Sequence, residues 1–395
     1  MSSGYELHQK LRTKTVRQVK KKQYDEAIST LHQGALDLLA QSEQGSACDL
    51  AVYMIDVYGI KEQAVDSEAR DRITDILAKA APDFWRKKVV DAAVKWSVKA
   101  SGASTGDPLL RLFVAKMYAK DGDFEHAEAH FLASCIETDK TYAVESAPKA
   151  YAQAMADWLA QFAKQAAQHD GEKRGADAIQ RIEAGRFALR ATIPLLANHA
   201  VQQAIAFQQA YLTTLTASLK SLLLPVTPNP RPYVPPGSPT SSSGLQLYLT
   251  ANADLNFSQM AVALVSESAK LASQRIPDWL RNAWINLVRQ YEREAPALTQ
   301  DDAIRTAIPQ IGADWFGLQP PRNQGNMLSD MMASLFGGPP GAGAAGAEKK
   351  EQPAQIKGAG APPKPLAAPA PAATASTQAA PAPAVADDLV DDEMD

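Results

Sequence analysis

The sequence is nearly without cysteine. Cys48 and Cys135 are its only two thiols, they lie far apart, and neither belongs to a CxxC pair. That pattern excludes a disulfide framework and a cysteine-rich metal module, and two buried free thiols in a reducing compartment are expected. Long apolar runs are missing too: no stretch approaches the ~18 uninterrupted apolar residues that a membrane-spanning helix needs. The opening MSSGYELHQKLRTK is charged from the start and has no apolar core, which argues against a secretory signal. No prenylation or retention signal stands at the C-terminal end. The expected address is the cytosol.

Charge of one sign is scarce in most of the chain. The net charge is −4, from 40 Lys and Arg against 44 Asp and Glu. The segment from Gly337 to Asp395 holds four bases and eight acids, so the entire excess lies there and the rest is neutral. A neutral body is a poor match for nucleic acid, which demands a large positive surface.

Signatures of chemistry are equally thin. There is no G-x-x-x-x-G-K-[ST] run, and the GxG dipeptides within 337–346 are low-complexity glycines with no flanking strand. Gly102-Ala-Ser104-Thr-Gly106 matches G-x-S-x-G, but a nucleophile elbow needs a strand before it and a helix after it. Here a helical pattern precedes and Asp107-Pro108 follows, so an interhelical turn is expected. His126 and His130 lie four apart on one helix, a spacing that can bind metal. The order is H-A-E-A-H, no third ligand is evident, and a solvated helix face is the expected reading. No catalytic residue, metal or cofactor is assigned.

What is present is helix. Apolar periodicity and capping signals mark helices at about 5–22 and 24–42, a third from Ser46 ended by Gly59, a fourth carrying Ser67, Arg70, Ile73, Ile76 and Leu77, others opening at Pro82, at Asp107-Pro108 and after Asp123, and then about 145–169, 174–192, 197–224, 254–275, 277–294 and 299–316. Ser46, Asp123 and the Thr299/Asp302 box are read as caps, with Pro82, Pro108 and Pro277 at helix starts. Ala115, Tyr118, Gly122-Asp123-Phe124, Ala127, Phe131 and Ser134 fall at tetratricopeptide spacing, with a degraded copy at Tyr24, Ala27, Leu31 and Gly34. Arg111 and Asp139 depart from that consensus. The predicted fold is therefore all-α, an α-solenoid of tetratricopeptide-like helix pairs, with a small β-hairpin near 232–250. Solenoids present long surfaces that bind proteins. The hairpin rests on Leu245-Gln-Leu-Tyr-Leu249, whose residues alternate, facing Pro232-Tyr233-Val234-Pro235, whose prolines confine it to an edge. Four segments follow: an N-terminal solenoid, 1–224; a Pro/Ser-rich loop and hairpin, 225–253; C-terminal helices, 254–336; and an Ala/Pro-rich acidic tail, 337–395, read as disordered.

Two surface features stand out. Lys10, Lys14, Arg17, Lys20 and Lys21 crowd the first helix, and such a stripe suits docking on an acidic protein as well as plain solvation. Met327, Leu328, Met331, Met332, Leu335 and Phe336 form an apolar stripe that fits core packing or an adaptable partner site.

Several stretches resemble the Golgi-to-ER-traffic protein four family: YDEAISTLHQGALDLL at 24–39 with CDLAVYMIDVY at 48–58, GDPLL at 106–110 with DGDFEHAEAHFL at 121–132, ADLNFSQM at 253–260, and IGADWFG with MLSDMMASLFGG between 311 and 338. The resemblance implies a cytosolic α-solenoid scaffold for delivering tail-anchored membrane proteins to the endoplasmic reticulum. Its N-terminal helices would bind the targeting ATPase, and Lys10, Lys14, Arg17, Lys20 and Lys21 are the candidate contacts. Its C-terminal half, with a β-hairpin just before ADLNF, would bind a ubiquitin-like protein whose co-chaperone holds the client. Tyr233, Leu245, Leu247, Leu249, Leu255 and Phe257 are the candidates there. Chaperones and clients would be indirect partners. Two rival readings are a generic helical-repeat adaptor outside this pathway, of the kind that ends in a winged helix, and a hydrolase using Ser104. No wing strands are legible in 299–336.

Overall fold

The computed structural model describes residues 4–169, 174–235, 244–271 and 274–319. Part of the Pro/Ser stretch (236–243), the Met-rich stripe and the acidic tail lie outside the described residues. Among those described, the α-solenoid expectation holds: fourteen α-helices follow one another and the sheet content is two short strands. They are α1 Gly4–Lys20, α2 Tyr24–Ala40, α3 Gln44–Lys61, α4 Ser67–Lys79, α5 Phe84–Ser101, α6 Pro108–Lys120, α7 Phe124–Cys135, α8 Ala147–His169, α9 Ala176–Ala197 and α10 Val201–Ser218. After them come β1 Arg231–Pro232, β2 Gln246–Leu247, α11 Ala253–Lys270, α12 Asp278–Glu294, α13 Pro296–Gln300 and α14 Asp302–Phe316.

Among the described helices, five of the six capped by a side chain are capped by aspartate. Asp66, Asp83, Asp107, Asp123 and Asp301 each accept hydrogen bonds from backbone N–H groups of the first turn that follows. Asp107 with Pro108 and Asp123 were legible in sequence. The other starts shift by one or a few residues: Ser46 lies inside α3, Pro82 precedes Asp83, Pro277 flanks α12 rather than opening it, and Thr299 belongs to the short α13. A carboxylate aimed at the positive end of a helix outcompetes a neighbouring hydroxyl or proline for the cap position.

The helix pairs share one turn. The linkers 21–23, 41–43, 121–123 and 198–200 each have three residues, and the middle one is left-handed: Lys22 (φ 61°), Ser42 (64°), Gly122 (78°) and His199 (59°). In each, the third residue's N–H returns to a carbonyl five positions back: Gln23 to Gln18 (2.9 Å), Glu43 to Leu38 (2.9 Å), Asp123 to Tyr118 (3.0 Å) and Ala200 to Leu195 (2.9 Å). This closure satisfies carbonyls at the helix end and folds the next helix straight back. Only one of the four uses glycine, so the repeat is visible in the backbone and hidden in the sequence.

Stacking these pairs builds one continuous core. Phe131 stacks on Tyr151 (5.3 Å between ring centroids), and Tyr151 meets Phe207 (5.1 Å), which ties α7, α8 and α10 together. Arg190 of α9 reaches across α8 to hold Glu128 of α7 through two hydrogen bonds, 3.0 and 2.6 Å, with its guanidinium 4.6 Å over the Trp158 ring. Burial works against that charge, and the Glu128 bonds outweigh it, raising the Arg190 pKa. Cys48 and Cys135 are both buried free thiols, and burial pushes each up to about 12.

The C-terminal helices join this stack where α11 begins. A Cβ at Gly185 of α9 would meet Leu255 N at 2.3 Å and Asn252 Oδ1 at 2.2 Å, so only glycine allows the two backbones this close. Through that contact Asn252 Nδ2 donates to the carbonyls of Arg181 and Ile182, both at 2.8 Å, while its Oδ1 accepts from Leu255 N at 2.8 Å.

A left-handed conformation costs a non-glycine residue about 1–2 kcal/mol, less the entropy that glycine loses on folding. Ser42→Gly is therefore expected to stabilise the chain by about 0.5–1 kcal/mol, read as a rise in urea midpoint at unchanged slope.

Candidate protein-interaction surfaces

The first surface is the outer face of α1. Its inner face packs Leu7, Leu11 and Val19 on the core of α2 and α3, and Thr15 is fully buried with its hydroxyl donating to Leu11 O at 2.9 Å. Two inward-leaning side chains meet Asp49 of α3. His8 Nε2 lies 2.8 Å from it, and Arg12 also pairs with it while lying 4.8 Å over the Tyr53 ring. The remaining cations turn outward. Lys10, Lys14, Arg17, Lys20 and Lys21 are all exposed, and none makes an ion pair with a described residue. Lys10, Lys14, Arg17 and Lys21 line one shallow concavity of about 630 Å³, and Lys20 lies beside it. Arg17 and Lys20 also occupy the last turn of α1, where the helix dipole favours positive charge. The face is thus a preformed positive groove.

The second surface surrounds the hairpin. β1 and β2 are antiparallel, Arg231 opposite Leu247 and Pro232 opposite Gln246, and Tyr233 N donates to Leu245 O at 2.8 Å. Hydrogen-bonded and non-bonded positions alternate, so Pro232 falls where no ladder donor is needed. Below the strands, side-chain amides take over from backbone. Asn229 Oδ1 accepts from Leu249 N (3.0 Å), and its Nδ2 donates to Leu249 O (3.0 Å) and Leu224 O (3.1 Å). Gln259 of α11 does the same for Tyr248: Oε1 accepts from its N–H at 2.8 Å and Nε2 donates to its carbonyl at 2.9 Å. Gln259 is buried, so the ribbon is fastened to α11 by two directional bonds in a dry place.

This geometry divides the six hairpin-end candidates. Leu247 and Leu249 are partly exposed. Tyr233 and Leu245 are buried, and they pack with Ala263 of α11 beneath the ribbon. Leu255 and Phe257 are fully buried, with Phe257 between Trp284 (6.4 Å) and Tyr291 (5.7 Å) of α12. Both belong to the core, so on the folded chain they present no surface to a partner, contrary to the sequence expectation. Alternation in 245–249 gave the strand, but the first turn of α11 points its apolar residues inward. The apolar groups that do face outward here are Leu224, Val226 and Val234, the last 54% exposed. Their signal in sequence was two valines left among prolines in 225–235.

Two other sequence features resolve plainly. Ser104 sits on an exposed turn between α5 and α6, with helix on both sides. The two histidines of α7 diverge: His126 is exposed and binds Asp123 (2.8 Å), whereas His130 is half-buried, stacked on Tyr118 (5.8 Å). Its Nδ1 lies 3.1 Å from Arg111 Nη1, and Arg111 Nε donates to Thr105 O at 2.7 Å. The solvated-face reading therefore fails for His130. Arg111, the consensus departure, explains it: a cation can only donate, so the Nδ1 facing it must accept, and the ring stays neutral. Burial first, then Arg111, push the His130 pKa down to about 3. Among the described residues no cluster of three or more His, Cys, Asp or Glu could hold a metal ion, and no helix is long and apolar enough to cross a membrane.

With this geometry in hand, comparison with known proteins gives a consistent picture. The sequence model of the Golgi to ER traffic protein 4 family matches residues 21–336. Golgi to ER traffic protein 4 of Schizosaccharomyces pombe is 28% identical over 340 residues, covering 86% of this chain and 92% of its own. The protein of the same name from Aspergillus fumigatus is 27% identical over 359 residues, covering 85% and 86%. The crystal structure of C. therm. Get4 superposes with a TM-score of 0.64 at 25% identity, covering 88% of this chain and 93% of that one. The family match starts at Lys21, so of the five basic candidates only Lys21 lies inside it.

Replacing Gln259 by Met keeps its bulk but leaves the Tyr248 N–H and carbonyl without partners, which costs about 1–3 kcal/mol. The expected result is a matching loss in unfolding free energy, with faster hydrogen exchange at 245–249. For His130, the unfolded chain binds the proton near pH 6.5 and the folded chain only near 3, so the stability that the neutral ring confers is complete above pH 6.5 and drains away as pH falls toward 3. The slope is up to about 1.4 kcal/mol per pH unit. His130→Gln is expected to lose stability less steeply than the parent between pH 6 and 4 in parallel denaturant titrations.

Proposed function

The chain belongs to the Golgi to ER traffic protein 4 family, and from that membership we propose that it is a non-catalytic cytosolic bridge of the GET pathway. One end holds a ubiquitin-like co-chaperone adaptor and the other the targeting ATPase that receives tail-anchored clients. Holding donor and acceptor on one rigid helical stack turns client transfer into an effectively intramolecular event, with no reaction asked of the scaffold itself.

The observation that carries this reading is the outer face of α1: five exposed cations with no ion pair among the described residues, four of them around one concavity. Their charge is left unpaired among the described residues, and it can speed and orient encounter with an acidic partner. The ATPase is assigned to this face. The ubiquitin-like protein is assigned to the ribbon, through Leu247, Leu249 and the outward-facing Leu224, Val226 and Val234, where an apolar contact fits better than a charged one. The helices α3–α9 lie between the two sites in stacking order, so each can be occupied without the other.

Reversing Lys14, Arg17 and Lys21 to Glu is expected to weaken ATPase binding by about tenfold or more and to flatten its dependence on salt. Binding of the ubiquitin-like protein should change by less than about twofold, since the contacts assigned to it are apolar and lie on other elements. Isothermal titration at two ionic strengths reads both. Loss of both interactions with the melting temperature unchanged would sink the two-ended reading.

A further inference from the structure

Helix α5 carries a face that neither assigned surface uses. Phe84 is 63% exposed and Trp85 40%, and they stand edge to face with ring centroids 5.6 Å apart. A lone exposed apolar side chain is ordinary, but two adjoining aromatic rings make a patch.

The backbone beneath the rings is clamped. Asp83 accepts from Trp85 N at 2.8 Å and from Arg86 N at 3.0 Å. Gln44 of α3 donates to Ala81 O at 3.1 Å and accepts from Ala81 N at 3.2 Å. Arg86 is buried, donates to Ala80 O at 3.4 Å and pairs with Asp121 just after α6. Trp85 lies against Gly45, where an added Cβ would meet its indole at 3.3 Å. Rings on so fixed a base have little freedom left to lose on binding, which is what suits rigid aromatics to anchor an interface. The same bonds join the turns 41–43, 80–83 and 121–123 in one row. Lys21 and Gln23 of the α1 groove lie at the other end of α2, a helix of 17 residues and so about 25 Å long.

Charge continues the patch along α5. Phe84, Lys88, Asp91, Lys95 and Lys99 fall at i, i+4, i+7, i+11 and i+15, one stripe of the helix, and all five are exposed. Asp91 is taken by Lys87 at 2.9 Å, whereas Lys88, Lys95 and Lys99 make no ion pair with a described residue. The Lys88 ammonium lies 4.6 Å from the Phe84 ring centroid and 4.8 Å from that of Trp85. Val89, Val90, Ala93 and Trp96 are buried, so the exposed stripe lacks the broad apolar face that a helix lying in lipid needs. The two rings are tilted 66° to each other with Lys88 over both, which is a poor platform for stacked bases. The complement of this face is a protein segment with carboxylates along its length and an apolar side chain at the ring end.

We infer that the α5 face of Phe84, Trp85, Lys88, Lys95 and Lys99 is a docking site for an acidic segment of a protein partner, with an apolar side chain of that segment seated on the two rings. This site is separate from the surfaces assigned on α1 and the ribbon and does not depend on them.

Fluorescence anisotropy on the full chain tests this, with a labelled helical peptide that carries Leu on one face and Glu on the other. Two control peptides replace Glu by Lys, or Leu by Ser. The parent is expected to bind the Leu/Glu peptide about tenfold more tightly than either control. Phe84→Ser/Trp85→Ser and Lys88→Glu/Lys95→Glu/Lys99→Glu should each weaken that binding by about tenfold, with a melting temperature near the parent's because the replaced groups are exposed. The α1 reversal Lys14→Glu/Arg17→Glu/Lys21→Glu should change it by less than about threefold. Loss on the α1 reversal alone overturns the inference and leaves the ATPase assignment standing. Equal binding of the Ser/Glu peptide overturns it as well, since the rings would then be idle. So does preferred binding of phosphatidylserine vesicles or of a single-stranded oligonucleotide through the same residues, because the occupant would be a lipid surface or a nucleic acid. A doubling of mass by light scattering that the ring substitutions abolish overturns it in favour of a second copy.

Discussion

The described helices after α10 join the stack first where Asn252 meets α9. Its amide spans two chains, capping α11 with one end and gripping the Arg181 and Ile182 carbonyls with the other, and Gly185 lets the backbones close to that distance. Once α11 is seated there, its side chains deal out the rest. Asp254 accepts from Ala297 N at 3.1 Å and so positions α13. Ser258 donates to Gln208 at 2.7 Å and meets Thr192 at 3.0 Å, which locks α11 to α10 and α9. Gln259 holds the ribbon and Phe257 receives α12. One polar joint thus fixes the direction of a helix whose side chains from Asp254 to Gln259, within its first two turns, each serve a different neighbour. Directional contacts of this sort specify geometry more sharply than apolar packing, since few angles satisfy both ends of one amide.

The sequence carried the helices well because helix is a local property. Apolar periodicity, Asp107-Pro108 and Asp123 each act within one turn of themselves, and the element order came out intact. What it concealed were features defined by partners distant along the chain. The shared three-residue turn recurs with Lys, Ser, Gly and His at its left-handed position, and no single-residue signal covers that set. His130 looked like a surface residue on its helix, and only the α6 neighbour Arg111 makes it a neutral, half-buried ring. Leu255 and Phe257 looked like part of a contiguous motif with the hairpin. They are contiguous with it in sequence but face the opposite way, because the chain changes from period two to period 3.6 at Asn252.

The two candidate surfaces are built on different physics. The α1 face is made of charge that folding did not need, on a helix pinned from behind by Leu7, Leu11 and the Asp49 pairs. The ribbon is made of backbone that folding could not satisfy by itself, completed by borrowed amides. A surface of the first kind responds to salt and tolerates shape change in its partner. A surface of the second kind is rigid, and it would select a partner by fit.

The ribbon's dependence on amide side chains has a chemical consequence. An amide that hydrolyses to a carboxylate would turn a donor into an acceptor, and at residue 229 it would set an anion against the carbonyls of Leu224 and Leu249. Asparagine ordinarily ages by attack of the next residue's backbone nitrogen on its own side chain, through a cyclic imide. The residue after Asn229 is Pro230, whose ring nitrogen has no hydrogen to lose and cannot close that imide. The proline that shapes the loop therefore also closes the cyclic-imide route to deamidation at its key amide.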